Sequence, residues 1–249
     1  MRRWPPLAQR IASFAALLAL WQAGSMLASS RQLPSPAAVA AVLVADIADG
    51  SLPYHVGVTL ARVGISFALA MLVGAVVGLA MGRLRAVDRF FDGWLVLFLN
   101  IPALVTIVLC YVWLGLVEAA AIAAVWINKL PLVVVTVREG ARALSRDYLE
   151  MAQVFRFGPM KTLRHVILPE LAPFLVAAAR SGLSIIWKIV LVVELLGRSN
   201  GVGFQLYTFF QFFDVASILA YTLAFVAVIQ IIEWCMLRPL EQRASRWRR

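Results

Sequence analysis

The sequence predicts an all-α, polytopic membrane protein with six transmembrane helices, and three observations carry that prediction. Of its 249 residues, 62% are hydrophobic and only 14% are charged, far from the usage of soluble domains. Six apolar stretches approach or exceed the roughly 20 residues a helix needs to cross the hydrocarbon core. They are Ile11–Leu27, Leu60–Gly82, Phe91–Trp113, Leu116–Val137, Leu171–Leu196 and Val215–Leu237. The basic residues, finally, collect on alternate connections, as the excess of Lys and Arg in cytoplasmic loops requires.

The charge placement predicts the orientation. With the N-terminus, the second and fourth connections and the C-terminus in the cytoplasm, 17 of the 23 basic residues lie there, among them Arg2, Arg3, Arg10, Arg83, Arg85, Arg89, Arg138, Arg142 and the C-terminal arginines. The other side receives Arg31 and Arg198, and Arg62, Lys129, Arg180 and Lys188 fall within spans. Both termini are therefore expected inside, at a cell inner membrane. The net charge of +10 is explained by this topology and does not call for nucleic acid as a partner.

The first stretch follows a basic start and ends near Ser25–Ser30, features shared with a signal peptide. Its continuation through Trp21 to Leu27, with five more spans after it, favours a retained helix. Leu33-Pro34-Ser35-Pro36 then stiffens the chain. Ala37–Ile47 reads as a short amphipathic helix on the outer face, with Ser35 as its cap, Pro36 at its first position and an end near Asp49-Gly50. Residues 1–57 thus hold the first span and an outer segment, and residues 58–237 a five-helix core, within one transmembrane domain over 1–249. In the second span Gly74 and Gly78 form a GxxxG, which lets helix backbones approach closely.

The third span contains Asn100-Ile101-Pro102, where proline leaves carbonyls without partners; a structural kink and a pathway-lining hinge are both open readings. The fourth contains Asn128-Lys129-Leu130-Pro131 and follows the short connection Gly115–Glu118, so the third and fourth spans should be antiparallel neighbours. Lys129, Arg180, Lys188, Glu194 and Glu233 lie in or near the ends of spans, where charge is costly and faces protein or water. Ion pairing between helices, with Glu194 and Glu233 as the acids, is one reading. A positively biased passage for an anion, lined by Asn100, Pro102, Lys129, Arg180, Lys188 and Glu194, is the other. Cys110 and Cys235 lie in apolar spans with no CxxC, and two histidines, His55 and His165, are too few for a histidine metal site.

Residues 138–170 form a charged island between spans. Arg142–Phe155 is expected to be one helix and Lys161–His165 a shorter second one, separated by Gly158-Pro159, with Pro169 starting the return to the membrane. Such a helix–turn–helix suits docking of a cytoplasmic partner, with Glu150 meeting basic groups and the small Ala152 allowing close approach; lying on lipid headgroups is the alternative.

The island resembles the cytoplasmic signature loop of binding-protein-dependent ABC importer permeases, a Glu-Ala-Ala triplet followed by a Gly and then by Ile-x-Leu-Pro. Glu150, Ala152, Val166, Leu168 and Pro169 occupy matching spacings, and Met151 replaces the middle Ala. The family's Gly falls on Arg156, and Gly158 follows two residues later. Leu33-Pro34-Ser35-Pro36, Thr59-Leu60 with Arg62 and Gly64, Ile101-Pro102, Trp113-Leu114-Gly115, Pro131, Ala179-Arg180, Trp187, Glu194 and Gly201-Val202-Gly203 resemble the nitrate/sulfonate/taurine branch, while Lys129 replaces an expected apolar residue. The resemblance implies a type I importer permease fold. It also implies that Glu150, Ala152, Arg156, Gly158, Leu168 and Pro169 couple the chain to an ATPase.

By the same resemblance, two permease copies sit on two cytoplasmic ABC ATPase subunits, and a periplasmic or lipid-anchored binding protein delivers the solute. No GxxxxGK[ST] phosphate loop is present, so the chain is expected to be no enzyme and to hold no cofactor, ATP and Mg being bound by the partner ATPase. A small anion such as a sulfonate, taurine or nitrate is the expected cargo, with a thiamine-precursor pyrimidine or an aromatic acid as alternatives. An ion-gradient-driven secondary transporter and a scaffold recruiting a cytoplasmic enzyme are the rival classes; neither accounts for the signature loop as well.

Overall fold

The computed structural model describes residues 6–28, 30, 32–237 and 239, which are built of helices and short turns. The terminal residues Arg2, Arg3, Arg243, Arg246, Arg248 and Arg249, and Arg31, lie outside the described residues. Helix α1 spans Pro6–Ala28 and α2 Pro36–Ala48. As expected, Ser35 caps α2, its hydroxyl accepting from the Ala38 amide at 3.2 Å, with Pro36 at the first helical position. Gly50 takes φ +84° and turns the chain into α3, Ser51–Arg83, which starts nine residues before the expected span.

The expected third span is not one helix. It is α4 (Arg85–Asn100) and α5 (Ala103–Leu114), which meet at 99°. Pro102 lacks an amide hydrogen and pushes the residue before it out of the helical region. Ile101 and Pro102 are accordingly extended, at ψ 123° and 137°, and Asn100 turns its side-chain amide back onto the Val96 carbonyl at 2.7 Å. Pro131 by contrast stays inside α6, Glu118–Arg142.

The charged island contains α7, Arg146–Val154, shorter at both ends than expected. Its second arm is not a separate helix. The short α8 (Pro159–Thr162) and a π-helical turn at Leu163–Ile167 run directly into α9, Leu168–Gly197, giving one helical rod from Pro159 to Gly197. Pro169 cannot bond to the carbonyl one turn before it, and the wider π turn just upstream absorbs the defect without ending the helix. Pro169 therefore lies inside the rod and does not start it. After α9 comes α10, Val202–Gln211, a short helix the sequence reading did not include, and then α11, Val215–Ile232, followed by a second π turn.

Among the described residues four helical stretches are long and apolar enough to cross a bilayer, and the bent α4–α5 pair makes a fifth. Six were expected; α1 offers a shorter apolar run, Ala12–Ala28. Helix α6 sits centrally, packed chiefly against α3 and α9. Lipid tails supply no hydrophobic drive between spans, so close fit must hold them. The α3–α6 seam shows how: a Cβ on Gly74 would lie 2.6 Å from Val133 Cγ1, and one on Gly78 only 2.7 Å from the Val134 carbonyl oxygen. Val63, Ile107, Tyr111, Ala124, Val190 and Val193 close a core between α3, α5, α6 and α9. Leu52, Val56, Val202, Tyr221 and Phe225 close a second between α3, α10 and α11.

Candidate functional site

The bundle has two ends. One carries Arg83, Arg138, Arg142 and the charged island; at the opposite end a knot of buried charge forms where α3, α6, α9 and α10 converge. Glu194 is 0% exposed. Its Oε1 accepts from Arg62 Nη1 at 2.7 Å, and its Oε2 accepts from the Thr59 hydroxyl at 2.9 Å and the Gly203 amide at 2.8 Å. Arg62 also clasps Glu118 through Nε and Nη2 at 2.6 and 2.9 Å and the carbonyl of Asn200 through Nη1 at 2.9 Å. Glu118 takes a further ion pair from Arg198 at 2.9 Å.

The turn before α10 is threaded through this knot. The Val202 amide donates to the Thr59 hydroxyl at 2.8 Å and the Gly201 amide to His55 Nδ1 at 3.0 Å. Gly201 adopts φ +106° and packs on the Glu194 carboxylate, leaving no room for a side chain. Gly201-Val202-Gly203 is thus a seat for Glu194. A guanidinium that forks onto one carboxylate and reaches a second with every buried oxygen matched is a rigid joint, with no vacancy in it for a ligand.

Glu194 was expected either to line a passage or to be the acid of an inter-helix ion pair, and the structure shows the ion pair, made with Arg62, 132 residues away in sequence. Sequence reasoning placed Arg62 within a span and in the family pattern but assigned it no acid. The usable signal was that Arg62 is a cation inside an apolar span, which had to find an acid somewhere in the bundle.

The other charges behave differently. Lys129 is 2% exposed and its Nζ has no hydrogen-bond partner among the described residues. It lies against Gly182 of α9, where an added Cβ would sit 3.0 Å from Lys129 Cε and 3.5 Å from Phe67. Arg180 and Lys188 are brought together on the opposite side of α9, where they line a cleft of about 610 Å³ between α9 and α11 with Ser184, Trp187, Gln230 and Glu233. Asn100 and Pro102 are at the α4–α5 elbow, and neither they nor Lys129 or Glu194 line that cleft.

At the basic end, Arg138 bridges α6 to α4 through Asp92 at 2.6 Å and Asp88 at 3.4 Å, and Arg142 adds a second bond to Asp88 at 2.5 Å. The island is fastened to α9 where Glu170 Oε2 accepts from the Ser145 amide at 3.1 Å. Arg156 ends α7 at φ +50°, the left-handed region where glycine is at ease. Gly158 has an ordinary φ of −66° and caps α8. The position where the family pattern has glycine thus keeps a glycine's backbone, and Gly158 is no displaced substitute for it. Ala152 is 3% exposed, so its small side chain fits inside the hairpin rather than against a visitor. Facing outward are Tyr148, Met151, Val154, Phe155 and Met160, with Phe155 68% and Met160 72% exposed; Glu150 and Pro169 are exposed beside them.

Comparison with known proteins gives this geometry a setting. Residues 66–242 match the family model of the binding-protein-dependent transport system inner membrane component. The chain belongs to this family. It is 28% identical over 255 residues to the taurine transport system permease protein TauC of Escherichia coli (strain K12), covering 98% of this chain and 92% of that protein. It is 26% identical over 236 residues to the putative aliphatic sulfonates transport permease protein SsuC of Bacillus subtilis (strain 168), covering 94% and 85%. The fold is that of the MetNI methionine ABC transporter in an inward-facing conformation, with a TM-score of 0.65 at 20% identity over 75% of this chain and 94% of that one. The permease is therefore an ABC-importer subunit.

Proposed function

We propose that this permease moves a small anion, of the sulfonate, taurine or nitrate kind, as one of two copies seated on two cytoplasmic ATPase subunits that bind ATP and Mg. A separate binding protein delivers the anion on the other side. The basic end, the hairpin and both termini are cytoplasmic, and α1 supplies the sixth crossing. The anionic cargo draws support from the sulfonate and taurine relatives and from the cations along α9.

The observation that carries the coupling role is the outer surface of the hairpin. A run of Met151, Val154, Phe155 and Met160 exposed on an otherwise charged element is the make-up of a docking patch. The arrangement transmits force in both directions. The patch is borne on the end of α7 and, at Met160, on α8; the Glu170–Ser145 bond ties the start of α7 to α9, and α9 is one rod with α8. A pull on the tip therefore acts directly on the helix that carries Arg180 and Lys188. ATP binding drives the cycle only by favouring one of the two permease states over the other.

Phe155→Glu should weaken ATPase association by about 2 kcal/mol, roughly 30-fold, while leaving permease yield unchanged. Co-purification of the ATPase at wild-type levels with both Phe155→Glu and Met151→Glu would overturn the docking assignment. A cysteine placed at Met160, in a chain lacking Cys110 and Cys235, should react with an impermeant reagent only in opened cells; labelling from outside intact cells would overturn the orientation.

A further inference from the structure

Helix α9 presents an exposed polar stripe in the middle of a membrane-spanning rod: Arg180, Ser184 and Lys188, four residues apart and so one above the other on the helix. An ammonium such as that of Lys188 on a lipid-facing surface would cost several kcal/mol at mid-bilayer depth. The stripe therefore faces water or a second copy of the chain. It also forms one wall of the cleft between α9 and α11, so the exposed charge and the cavity are one feature.

We infer that this cleft is a binding subsite for a monovalent oxyanion bearing an apolar body, with Lys188 and Gln230 as its anion-holding groups and Trp187 as its apolar wall. This rests on the proposed import of an anion and names the place and chemical class of its contact with the permease.

The chemistry of the lining argues for that class. Lys188 has, among the described residues, no carboxylate and no hydrogen-bond acceptor; its Nζ rests 5.5 Å from the Trp187 ring centre. A cation placed over an indole is only partly compensated, so a charge-bearing ligand gains from it. The Gln230 amide, exposed across the cleft on α11, offers two further N–H donors. Ser184 keeps its proton on its own helix, donating to the Ser181 carbonyl at 3.0 Å, so it shapes the wall without competing for Lys188.

Trp187 lines the cleft and is itself held, edge to face against Phe225 at 5.9 Å. Glu233 stands at the basic end of the cleft. The anion-holding charge is the single ammonium of Lys188, which favours a monoanion over a dianion. The space of about 610 Å³ exceeds what a bare ion needs and is in the range of small-molecule sites.

The probe can itself be such a monoanion. In a chain lacking Cys110 and Cys235, Ser184→Cys places a thiol on the stripe. It is reacted with sulfonatoethyl methanethiosulfonate and, separately, with the trimethylammonium analogue. In both cases the thiolate attacks the reagent's sulfenyl sulfur, forms a disulfide and releases methanesulfinate. With each rate divided by that of free mercaptoethanol, the anionic reagent should be favoured by about tenfold, the effect of a nearby charge in a half-wet cleft. Ethanesulfonate should slow the anionic reaction saturably and sulfate should not, and adding Lys188→Gln should abolish both the preference and the protection.

The inference is overturned if the cationic reagent reacts as fast, if neither reagent reaches the thiol, or if Lys188→Gln leaves the preference intact. Lys188→Met, which keeps the apolar stem, serves as the second variant. The labelling is done on the reconstituted permease with its ATPase subunits. Failure of the wider functional reading would appear separately, as absence of ATP-dependent uptake in the unmodified complex.

Discussion

Glu194 and Lys129 are both wholly buried charged residues of membrane-spanning helices, and the bundle treats them in opposite ways. Every oxygen of Glu194 is matched: Arg62, Thr59 and the Gly203 amide converge on it. Lys129 packs on Gly182, and among the described residues its amine has no partner. A buried charge with all its partners is part of the frame, because removing any member leaves the rest uncompensated. A buried polar group with no partner costs stability in the state seen.

The largest effect is expected where the frame is broken. Glu194→Ala strands Arg62 beside Glu118 and removes the acceptor for the α10 turn, at a cost of about 3–5 kcal/mol. The purified permease should lose its monodisperse peak in size exclusion after mild heating, and expression should fall. Glu194→Gln keeps the shape and one acceptor and should fall between wild type and Glu194→Ala. Wild-type thermal stability in Glu194→Ala would mean that the knot is ornamental and that Glu194 is free for another task.

Legibility in the sequence follows the same division. The four long apolar helices, the apolar stretch of the bent α4–α5 pair and the charged island were readable because apolar length and charge pattern are local. Proline was readable at 102, 131 and 169, but its consequence was not. Pro102 follows an extended Ile101 and breaks the span, Pro131 is carried inside α6, and Pro169 is absorbed by a π turn. Which of the three occurs depends on neighbours that can rescue the freed carbonyl. The Arg62–Glu194 joint was unreadable for a different reason: its members lie 132 residues apart, and no local spacing records the pairing. Arg180 and Lys188 share one cleft because residues eight apart on a helix fall on neighbouring faces, whereas Asn100, Pro102, Lys129 and Glu194, expected beside them, do not line it.

The second prediction tests the other member of the comparison. Lys129→Met removes an unpartnered amine and keeps the stem that packs on Gly182, so the isolated permease should gain about 1–3 kcal/mol of stability. The melting midpoint in detergent should rise. Anion uptake by the assembled complex should fall at the same time if Lys129 meets the cargo in another state. Higher stability with unchanged uptake would make Lys129 a tolerated defect, and a loss of stability as large as that of Glu194→Ala would show that it has a partner.

The smallest effect concerns a charged residue whose peculiarity is its backbone. Arg156 sits at φ +50°, where a side chain costs about 1–2 kcal/mol relative to glycine. Arg156→Gly lifts that strain but adds freedom to the unfolded hairpin, so the net gain should be about 0.5–1 kcal/mol. The readout is local: chymotrypsin cleavage at Phe155 and Phe157 requires the tip to open, and Arg156→Gly should slow it about two- to fivefold. Gly158→Ala is the matched control. Gly158 has an ordinary φ and no neighbour within 4 Å of an added Cβ, so cleavage should change little. Slower cleavage in Gly158→Ala with no change in Arg156→Gly would place the turn's conformational demand at the wrong residue. The expected order would establish that the hairpin keeps a glycine's backbone conformation under an arginine.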